Sequence, residues 1–332
     1  MNTPIPITQY AIPLVDDCLF IDNSAQERIQ TCARSAGFYL GHKREGNKPR
    51  TALSFGKNLH SILEERYRNH GSYLANDGVA AMVKVADQVF DPAVHQSDPD
   101  DYRNYGMAIA FIRKYASQYP MEDFEIVKFA DGTLFVERPF AIPLGTLTIN
   151  AEGLVRNPDG TVTRRHISTI TIVQKGRIDL AYRREGYLYG MDHKSTSIMG
   201  NQFFAEFELS SQVHGYSWAI EKLVGELPRG FVINGLGIRK PTKTGNALEF
   251  VRQTIPIWPA LVAEWKQDTL QLCANFIRGC ITGQLPKETK WCVGKYGPCE
   301  YKPVCGLEPQ MREMSLYSNE FRDVEWDPLK ND

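Results

Sequence analysis

Two acidic residues thirteen positions apart, Asp179 and Asp192, and a lysine two positions later, Lys194, have the types and spacing of a reactive group. They lie in the segment GRIDLAYRREGYLYGMDHKS. Its alternating pattern predicts two strands, Ile178–Tyr182 and Tyr187–Asp192, joined by a charged turn. Because side chains alternate across a strand, Lys194 is expected on the same face as Asp192, and the hairpin brings Asp179 to the same cleft.

Two carboxylates and an ammonium at one point are costly to desolvate unless a metal ion neutralises the acids. Carboxylate oxygens are ligands that suit Mg²⁺ or Mn²⁺, and the backbone carbonyl of His193 offers one more oxygen. Lys194 would orient an attacking water and stabilise the charge that develops at phosphorus. The pattern therefore indicates metal-dependent phosphodiester hydrolysis, and the alternative is an exposed hairpin with a solvated salt bridge.

Further polar residues lie on elements before and after this hairpin. His60 is in GKNLH on a predicted helix, and Gln212 and Tyr216 are in QVHGY on another. Gln212 and Tyr216 are four positions apart, so they share a helix face and could reach one phosphate or base. Glu137, in LFVERPF, is a further candidate acid. Each of these residues taken alone also fits an ordinary position on a helix or strand.

Three cysteines, Cys292, Cys299 and Cys305, lie within fourteen residues of irregular sequence, WCVGKYGPCEYKPVCG. A segment rich in Gly, Pro and aromatic residues buries little surface, and thiolate ligation of a metal or cluster would fix it. Cys32 is the first candidate for a fourth ligand, and Cys18 is the second. The spacing fits both zinc and an iron–sulfur cluster.

The elements that must position these residues follow from hydrophobic periodicity. Predicted helices cover 24–42, with Ser24 as the N-cap, and about 54–67, much of 73–118, 203–224 and 259–281. Predicted strands cover 124–129, 133–142, 145–150, 167–174, 177–182, 187–192, 230–239 and 249–255. The order of helices, then strands, then helices indicates an α/β core with a helical addition.

Composition limits the classes of function. The 332 residues include 38 basic and 39 acidic ones, so bulk charge gives no sign of a nucleic-acid partner and any DNA surface must be local. No apolar run is long enough for a membrane span, and the N-terminus lacks the features of a signal peptide. These absences predict a cytoplasmic protein, in which seven cysteines argue against a disulfide framework. Local basic groups are Arg164-Arg165, Lys175, Arg177, Arg183-Arg184, Arg239-Lys240 and Lys243.

Five motifs stand in a familiar order along the chain: Cys32, GKNLH, GRID with DHK, QVHGY and the three C-terminal cysteines. The sequence resembles RecB-like nucleases of the PD-(D/E)XK superfamily, in the branch that carries an iron–sulfur cluster. That branch includes CRISPR-associated RecB-like exonucleases, AddB-type helicase–nuclease subunits and many phage-encoded nucleases. The resemblance covers about residues 20–306, and five short motifs in the right order make chance agreement a poor explanation.

The resemblance implies a restriction-endonuclease-like core, in which helices flank a central mixed sheet. It implies an N-terminal helical region at 1–123, the nuclease core at 124–285, a cysteine-cluster segment at 286–310 and an acidic tail at 311–332. It also implies roles for single residues. The metal ligands would be His60, Asp179 and Asp192, and the catalytic residues would be Asp179, Asp192, Lys194, Gln212 and Tyr216.

The resemblance further implies that Cys32, Cys292, Cys299 and Cys305 hold a 4Fe–4S cluster, with zinc as the alternative. Two departures bear on the identity of that cluster. Six residues separate Cys292 from Cys299, where well-known members have a shorter gap, and Ala33 stands where many members have proline.

The implied activity is that of a metal-dependent DNA exonuclease in recombination, repair or end processing, and a phage-type member is expected. The implied partners are single-stranded DNA or duplex ends and a recombination or single-strand-annealing protein, with no membrane. The alternative is a module of the same fold that binds DNA ends or serves as a scaffold without cutting.

Overall fold

The structure is a computed structural model that describes residues 4–47, 51–69, 75–90, 101–242, 245–294 and 297–324, without the side chains of 75–77. Two predicted features lie outside these residues: the basic Lys243, and the end of the acidic tail at 325–332. No helix in the described part of the chain has both the length and the apolar character of a membrane span.

In chain order the helices are α1 (Asn23–Thr31), α2 (Ala33–Ala36), α3 (Thr51–Arg68), α4 (Ala75–Val89), α5 (Tyr105–Gln118), α6 (Asn201–Ala205), α7 (Ser211–Val224), α8 (Pro259–Thr282), α9 (Lys302–Cys305) and α10 (Pro309–Leu316). A π-helical turn, Gly37–Gly41, follows α2, and a 3₁₀ turn covers Thr289–Trp291.

The strands are β1 (Ile12–Pro13), β2 (Cys18–Ile21), β3 (Arg44–Gly46), β4 (Glu125–Ile126), β5 (Val136–Arg156), β6 (Val162–Arg184), β7 (Tyr187–Thr196), β8 (Gly230–Ile238), β9 (Leu248–Pro256), β10 (Val293–Gly294), β11 (Gly297–Pro298) and β12 (Phe321–Asp323). Eight of them form one mixed sheet in the order β1-β5-β6-β7-β8-β9, and β2 and β4 also pair with β6. This large mixed sheet flanked by helices confirms the predicted α/β fold class.

The chain divides into two compact units, each built from segments that are distant in sequence. The first unit comprises Met1–Lys48, Pro139–Gly176 and Ala263–Asp332, and the second comprises Pro49–Arg138 and Arg177–Val262. Strands β5 and β6 and helix α8 contribute residues to both units.

In the second unit, β6 and β7 form the predicted antiparallel hairpin, with Leu180 opposite Met191. Its loop is the two residues Glu185 and Gly186, which both have positive φ. That conformation matches the twist of a tight hairpin. Strand β7 runs parallel to β8, with Lys194 opposite Gly235, and β8 pairs antiparallel with β9. A parallel pair needs a long crossover, and this one carries α6 and α7.

Helices α3, α4 and α5 and strands β4 to β9 contribute to one hydrophobic core in the second unit. On α3, buried Phe55, Leu59, Ile62 and Leu63 recur at helical spacing, so a single face of the helix is buried. Burial of each such side chain stabilises the fold by about 1.5–3 kcal/mol. This burial fixes the rotation of α3 about its axis, and therefore the direction of the residues beside the buried face.

Two predicted helices are wrong in detail. The predicted N-cap Ser24 lies inside α1, because the side chain of Asp22 accepts a 2.8 Å hydrogen bond from the Ala25 N–H and caps the helix. The predicted helix 24–42 breaks at Cys32, which has the extended φ of −162° and ψ of 106°. The predicted helix 203–224 is also divided, because Ser210 caps a separate helix, α7.

Candidate active site

His60 is held toward β7 by the packing of α3. Its chain neighbour Leu59 is fully buried in the core of the second unit. Gly56, one helical turn earlier, allows close approach, since a Cβ there would lie 3.2 Å from Ser195 Oγ on β7. The glycine and histidine of the GKNLH segment thus have linked roles, because the close approach at Gly56 brings His60 to the strand that carries Asp192 and Lys194.

Three side chains form a group that could hold a metal ion. His60 Nδ1 lies 3.4 Å from Asp179 Oδ2 and 3.6 Å from Glu137 Oε1, and one ligand atom of each residue lies within 4.8 Å of the others. Glu137 has a φ of +47°, a left-handed conformation that costs a residue other than glycine about 1–3 kcal/mol. An imidazole nitrogen with two carboxylate oxygens suits Mn²⁺ or Mg²⁺.

The peptide of His193 contacts two members of this group. Its N–H donates to Asp179 Oδ2 over 2.6 Å, and its carbonyl oxygen lies 2.8 Å from His60 Nε2. A carbonyl oxygen only accepts, so Nε2 of His60 carries the hydrogen of that bond. In neutral His60 the lone pair is then on Nδ1, the nitrogen that faces the two carboxylates.

Asp192, the second acid of the sequence pattern, has a different set of neighbours. It is buried, with Lys194 Nζ 2.8 Å from its Oδ2, and Gln212 Nε2 donates to its Oδ1 over 2.9 Å. Helix α7, whose N-terminus Ser210 caps, carries Gln212. The structure therefore brings Asp192, Lys194 and Gln212 together, while Glu137 joins His60 and Asp179 in the group that could hold a metal ion. The predicted metal ligand Asp192 is not in that group.

Tyr216 is buried, with 7% of its surface exposed, and its ring centroid is 6.3 Å from that of Phe231. Its predicted DNA contact therefore stays a prediction. Several predicted DNA-binding arginines pair with carboxylates: Arg165 with Asp17, Arg183 with Glu226, Arg184 with Asp123, and Arg239 with Glu249. Such exposed pairs contribute little to stability, so they can be exchanged for other anions.

Burial and neighbouring charge shift the pKa values of the titratable groups in different directions. Burial raises the pKa of Asp192 to about 6, with a further increase from Asp179 and an opposing decrease from Lys194. Burial would lower the pKa of His60, but the carboxylates of Asp179 and Glu137 outweigh it and hold that pKa well above the ordinary value. Burial holds the pKa of His193 well below its ordinary value. The two histidines thus favour opposite charge states.

A buried polar network behind the acids was not identified from the sequence. Asn234 Nδ2 lies 2.9 Å from His193 Nδ1 and 2.9 Å from Tyr115 Oη. Tyr67 Oη lies 2.9 Å from the same Tyr115 hydroxyl, and Arg252 donates to both tyrosines. One signal was present in the sequence, because Asn234 is the one residue with a polar side chain in the otherwise apolar strand sequence GFVINGLGI.

The first unit contains a second candidate site. Cys32, Cys292, Cys299 and Cys305 line one cavity of about 50 Å³, which we call the cysteine pocket. The backbone is folded tightly there, since Cys299 N–H donates to Cys292 O over 3.1 Å. Cys18, the second candidate for a fourth ligand, is not among the residues that line this pocket.

Few regular elements support the cysteine pocket. Its cysteines lie at the break after α1, beside the 3₁₀ turn, next to the two-residue strand β11 and at the end of the four-residue helix α9. The Arg28 guanidinium forms a 2.7 Å ion pair with Glu300 and lies 4.2 Å above the ring of Tyr39. Glu300 also accepts a hydrogen bond from the Gly46 N–H over 2.8 Å. Polar contacts therefore act together with a small apolar cluster, in which the buried ring of Tyr301 stacks on that of Phe321.

Comparison with known families agrees with the geometry of the acids. A family model for the PD-(D/E)XK nuclease superfamily matches residues 23–306, most of the chain. The chain belongs to the PD-(D/E)XK nuclease superfamily. PD-(D/E)XK nucleases use divalent metals, and the group of His60, Glu137 and Asp179 has ligands of the right chemistry.

Two solved structures similar to this PD-(D/E)XK nuclease share little sequence with it. A protein from Eubacterium rectale, described as a "putative exonuclease", is 10% identical with a TM-score of 0.42, covering 87% of this chain and 94% of its own. The protein SSO0001 is 12% identical with a TM-score of 0.24, covering 67% of this chain and 84% of its own. No curated protein matches the sequence.

Proposed function

We propose that this PD-(D/E)XK protein is a RecB-like, metal-dependent DNA exonuclease that hydrolyses phosphodiester bonds. The observation that carries the proposal is the convergence of His60, Glu137 and Asp179 within 4.8 Å, with Asp192 and Lys194 joined at 2.8 Å in the same unit. A DNA-binding module that does not cut has no need of this costly buried set of charges.

The residues have separable roles in the proposed reaction. His60, Glu137 and Asp179 would hold Mg²⁺ or Mn²⁺, and a bound metal would neutralise the acids and polarise the scissile phosphate. Lys194, held by Asp192, orients the attacking water and stabilises negative charge on the phosphate oxygens. The water oxygen forms a bond to phosphorus as the ester P–O bond breaks; the attacking water loses one proton to solvent, and the leaving oxygen takes one up to become a hydroxyl. Gln212 restrains the Asp192 carboxylate and, through it, Lys194.

The proposal includes a 4Fe–4S cluster in the cysteine pocket, with Cys32, Cys292, Cys299 and Cys305 as ligands. Four cysteines that line one cavity support bound metal at this position, because thiolates are the ligands of both iron–sulfur clusters and structural zinc. Zinc is the alternative. The role of the bound group would be structural.

DNA is the proposed substrate, as single strands or duplex ends, in recombination, repair or end processing. A phage-type protein with a recombination or single-strand-annealing partner fits this activity. The exposed ion pairs of Arg183, Arg184 and Arg239 support DNA binding, because phosphates can replace their carboxylate partners at little cost. The free cysteines support a reducing compartment such as the cytoplasm.

End-labelled DNA tests the proposal directly. Single- and double-stranded substrates labelled at either end are incubated with the full chain and Mg²⁺, Mn²⁺ or EDTA. We expect metal-dependent release of label, with the polarity given by the labelled end. Asp192→Asn and Lys194→Ala should each lower the rate by at least about 10²–10³-fold while the protein stays folded.

Lys222→Ala is the matched control, because Lys222 is a half-exposed lysine on α7 that pairs with Glu221. It should retain full activity. Full activity of Asp192→Asn or Lys194→Ala would refute the assignment of these residues. If the wild-type protein binds DNA ends but cuts with neither metal, the protein is a non-catalytic DNA-end-binding module. Internal cleavage of circular DNA would make it an endonuclease.

A further inference from the structure

The second unit contains a buried histidine that lies between two active-site residues and whose ring also contacts that of His60, with 5.7 Å between the centroids. His193 stands between Asp192 and Lys194 on β7, and its exposed fraction is 2%. Because successive side chains of a strand point to opposite faces, the ring of His193 points away from the carboxylate of Asp192. The proposed chemistry does not use this ring.

Two elements hold the ring of His193. From β8, Asn234 Nδ2 lies 2.9 Å from His193 Nδ1, and Asn234 itself is fully buried. From α3, the ring of Tyr67 stacks on the imidazole at 5.5 Å between centroids and an interplanar angle of 11°. A stacked ring and a hydrogen bond in the imidazole plane together restrict both tilt and rotation of the side chain.

Asn234 and Tyr67 are in turn held through Tyr115, which contacts the ion pair of Arg252 and Glu122. The Tyr115 hydroxyl contacts both Asn234 and Tyr67, each over 2.9 Å. Arg252 donates to Tyr115 over 2.9 Å and to both carboxylate oxygens of Glu122, over 2.6 and 2.8 Å. These buried bonds restrain the residues that they join, since breaking any of them would leave a costly unpaired group.

The backbone of the same residue contacts the proposed metal ligands. The His193 N–H donates to Asp179 Oδ2, and its carbonyl oxygen accepts from His60 Nε2. The first bond orients the Asp179 carboxylate, and the second keeps the lone pair of neutral His60 on Nδ1, toward Glu137. The orientation of one peptide therefore affects two ligands.

We propose that His193 is a positioning residue, whose ring, clamped by Asn234 and Tyr67, fixes the peptide that orients Asp179 and His60 for metal binding. This inference rests on the proposed function, in which those residues hold the catalytic metal. An apolar residue at position 193 would fill the same space and keep the strand. It would lose the hydrogen bond that fixes the ring, and with it the alignment of the peptide.

The test compares two substitutions at one position. Asparagine places an amide oxygen or nitrogen near the position of the histidine Nδ1, so His193→Asn keeps a hydrogen bond to Asn234. His193→Leu is apolar and removes it. We expect His193→Leu to weaken Mn²⁺ binding about 10–100-fold, the range typical of residues that orient metal ligands. His193→Asn should stay within about threefold of wild type, and KM for DNA should change less than about twofold in both variants.

Three measurements are made on the full chain: calorimetric titration with MnCl₂ alone, thermal unfolding, and kcat and KM on labelled DNA. Wild-type Mn²⁺ affinity in a folded His193→Leu protein would overturn the inference, as would equal losses in the leucine and asparagine variants. Asn234→Ala gives a second test if His193→Leu does not fold, because it leaves the histidine in place. It should weaken Mn²⁺ binding at least threefold, and unchanged binding would also overturn the inference.

The same experiment separates this inference from the proposed function. Wild-type protein that binds Mn²⁺ but cuts no DNA would refute the nuclease proposal, while the order of Mn²⁺ affinities would still decide the role of His193. Wild-type protein that cuts DNA, together with unchanged Mn²⁺ binding in folded His193→Leu, would refute the role of His193 alone.

Discussion

The two candidate sites are built in opposite ways. The acid site, which consists of His60, Glu137, Asp179, Asp192 and Lys194, stands on one long helix and three long strands that share a hydrophobic core. The cysteine pocket stands on a helix break, a 3₁₀ turn, a two-residue strand and a four-residue helix. Hydrophobic burial on long elements fixes the acids whether or not a metal is bound. The short segments of the cysteine pocket bury Tyr301 and Val304 but include no long helix or strand.

This difference predicts that the group bound at the acid site serves the chemistry, and that the group bound in the cysteine pocket serves stability. Removal of the metal from the acid site should stop the chemistry and leave the second unit folded. Removal of the group from the cysteine pocket should instead unfold its surroundings, because ligand binding and folding are one process where the site is not preformed. Stability and activity should therefore respond to different substitutions.

The largest expected effect is on the cysteine pocket. Cys32→Ser should eliminate most of the bound iron and lower the free energy of unfolding by several kcal/mol, since structural metal sites contribute about 10–16 kcal/mol of apparent binding free energy. Elemental analysis and urea unfolding of protein purified without oxygen measure both effects. Iron in the wild-type protein would identify a cluster, and zinc in its place would refute it.

The matched control for Cys32→Ser is Cys18→Ser. Cys18 is a half-buried cysteine of the same unit that does not line the pocket. It should keep the full iron content and wild-type stability. Loss of iron from Cys18→Ser with retention in Cys32→Ser would reverse the assignment of the fourth ligand.

The two sites also differ in how far the sequence predicted them. The alternation around Asp179, Asp192 and Lys194 was enough to predict the hairpin and the proximity of lysine and acid, because strand periodicity is local. The break at Cys32 was not predicted, since the flanking sequence has helical composition and its extended conformation depends on distant partners. Glu137 was only a candidate because its contribution requires a left-handed backbone, which no local pattern in LFVERPF indicates.

The network of residues that holds the ring of His193 was the hardest feature to predict from the sequence. Its members come from α3, α5, β7, β8 and β9, and their contacts span up to 185 positions in sequence. Asn234 alone gave a signal, as a polar side chain among apolar neighbours, and the sequence could not identify its partner. Contacts of this kind depend on the order of strands in the sheet, which short-range periodicity does not determine.

A second prediction concerns His42, a buried histidine of the first unit whose pKa is lowered. In the first unit, burial and then Arg156 lower the pKa of His42 to about 3. The unfolded chain takes up a proton near pH 6.5 and the folded chain does not, so this histidine favours folding above pH 6.5. Its contribution falls as the pH decreases from about 6.5 to about 3, by up to about 5 kcal/mol.

His42→Asn tests this prediction, because an asparagine amide can still bond to Tyr317, whose hydroxyl lies 3.0 Å from His42 Nδ1. Urea unfolding at pH 7 and pH 4.5 should show a smaller loss of stability on acidification in the variant than in the wild type. The acid sensitivity of other groups cancels in that difference. Identical losses in the two proteins would show that His42 is not the source.

The smallest expected effects come from one polar contact in each site, and they separate activity from stability most clearly. Gln212→Leu removes the donor that restrains Asp192 Oδ1, so kcat should fall about tenfold, equivalent to about 1.4 kcal/mol in the barrier. The urea midpoint should fall less than in a variant of the cysteine pocket, because Asp192 keeps its ion pair with Lys194 and the core around it remains.

Arg28→Met is the reciprocal variant beside the cysteine pocket. It removes the ion pair with Glu300 and the contact with Tyr39, so unfolding free energy should fall by about 1–2 kcal/mol with no change in kcat. Each variant serves as the control for the other, with kcat on labelled DNA and the urea midpoint measured for both. If Gln212→Leu lowered stability as much as Arg28→Met, the acid site would depend on its polar contacts in the same way as the cysteine pocket. The contrast between a site fixed by hydrophobic burial and a site fixed by its ligands would then be wrong.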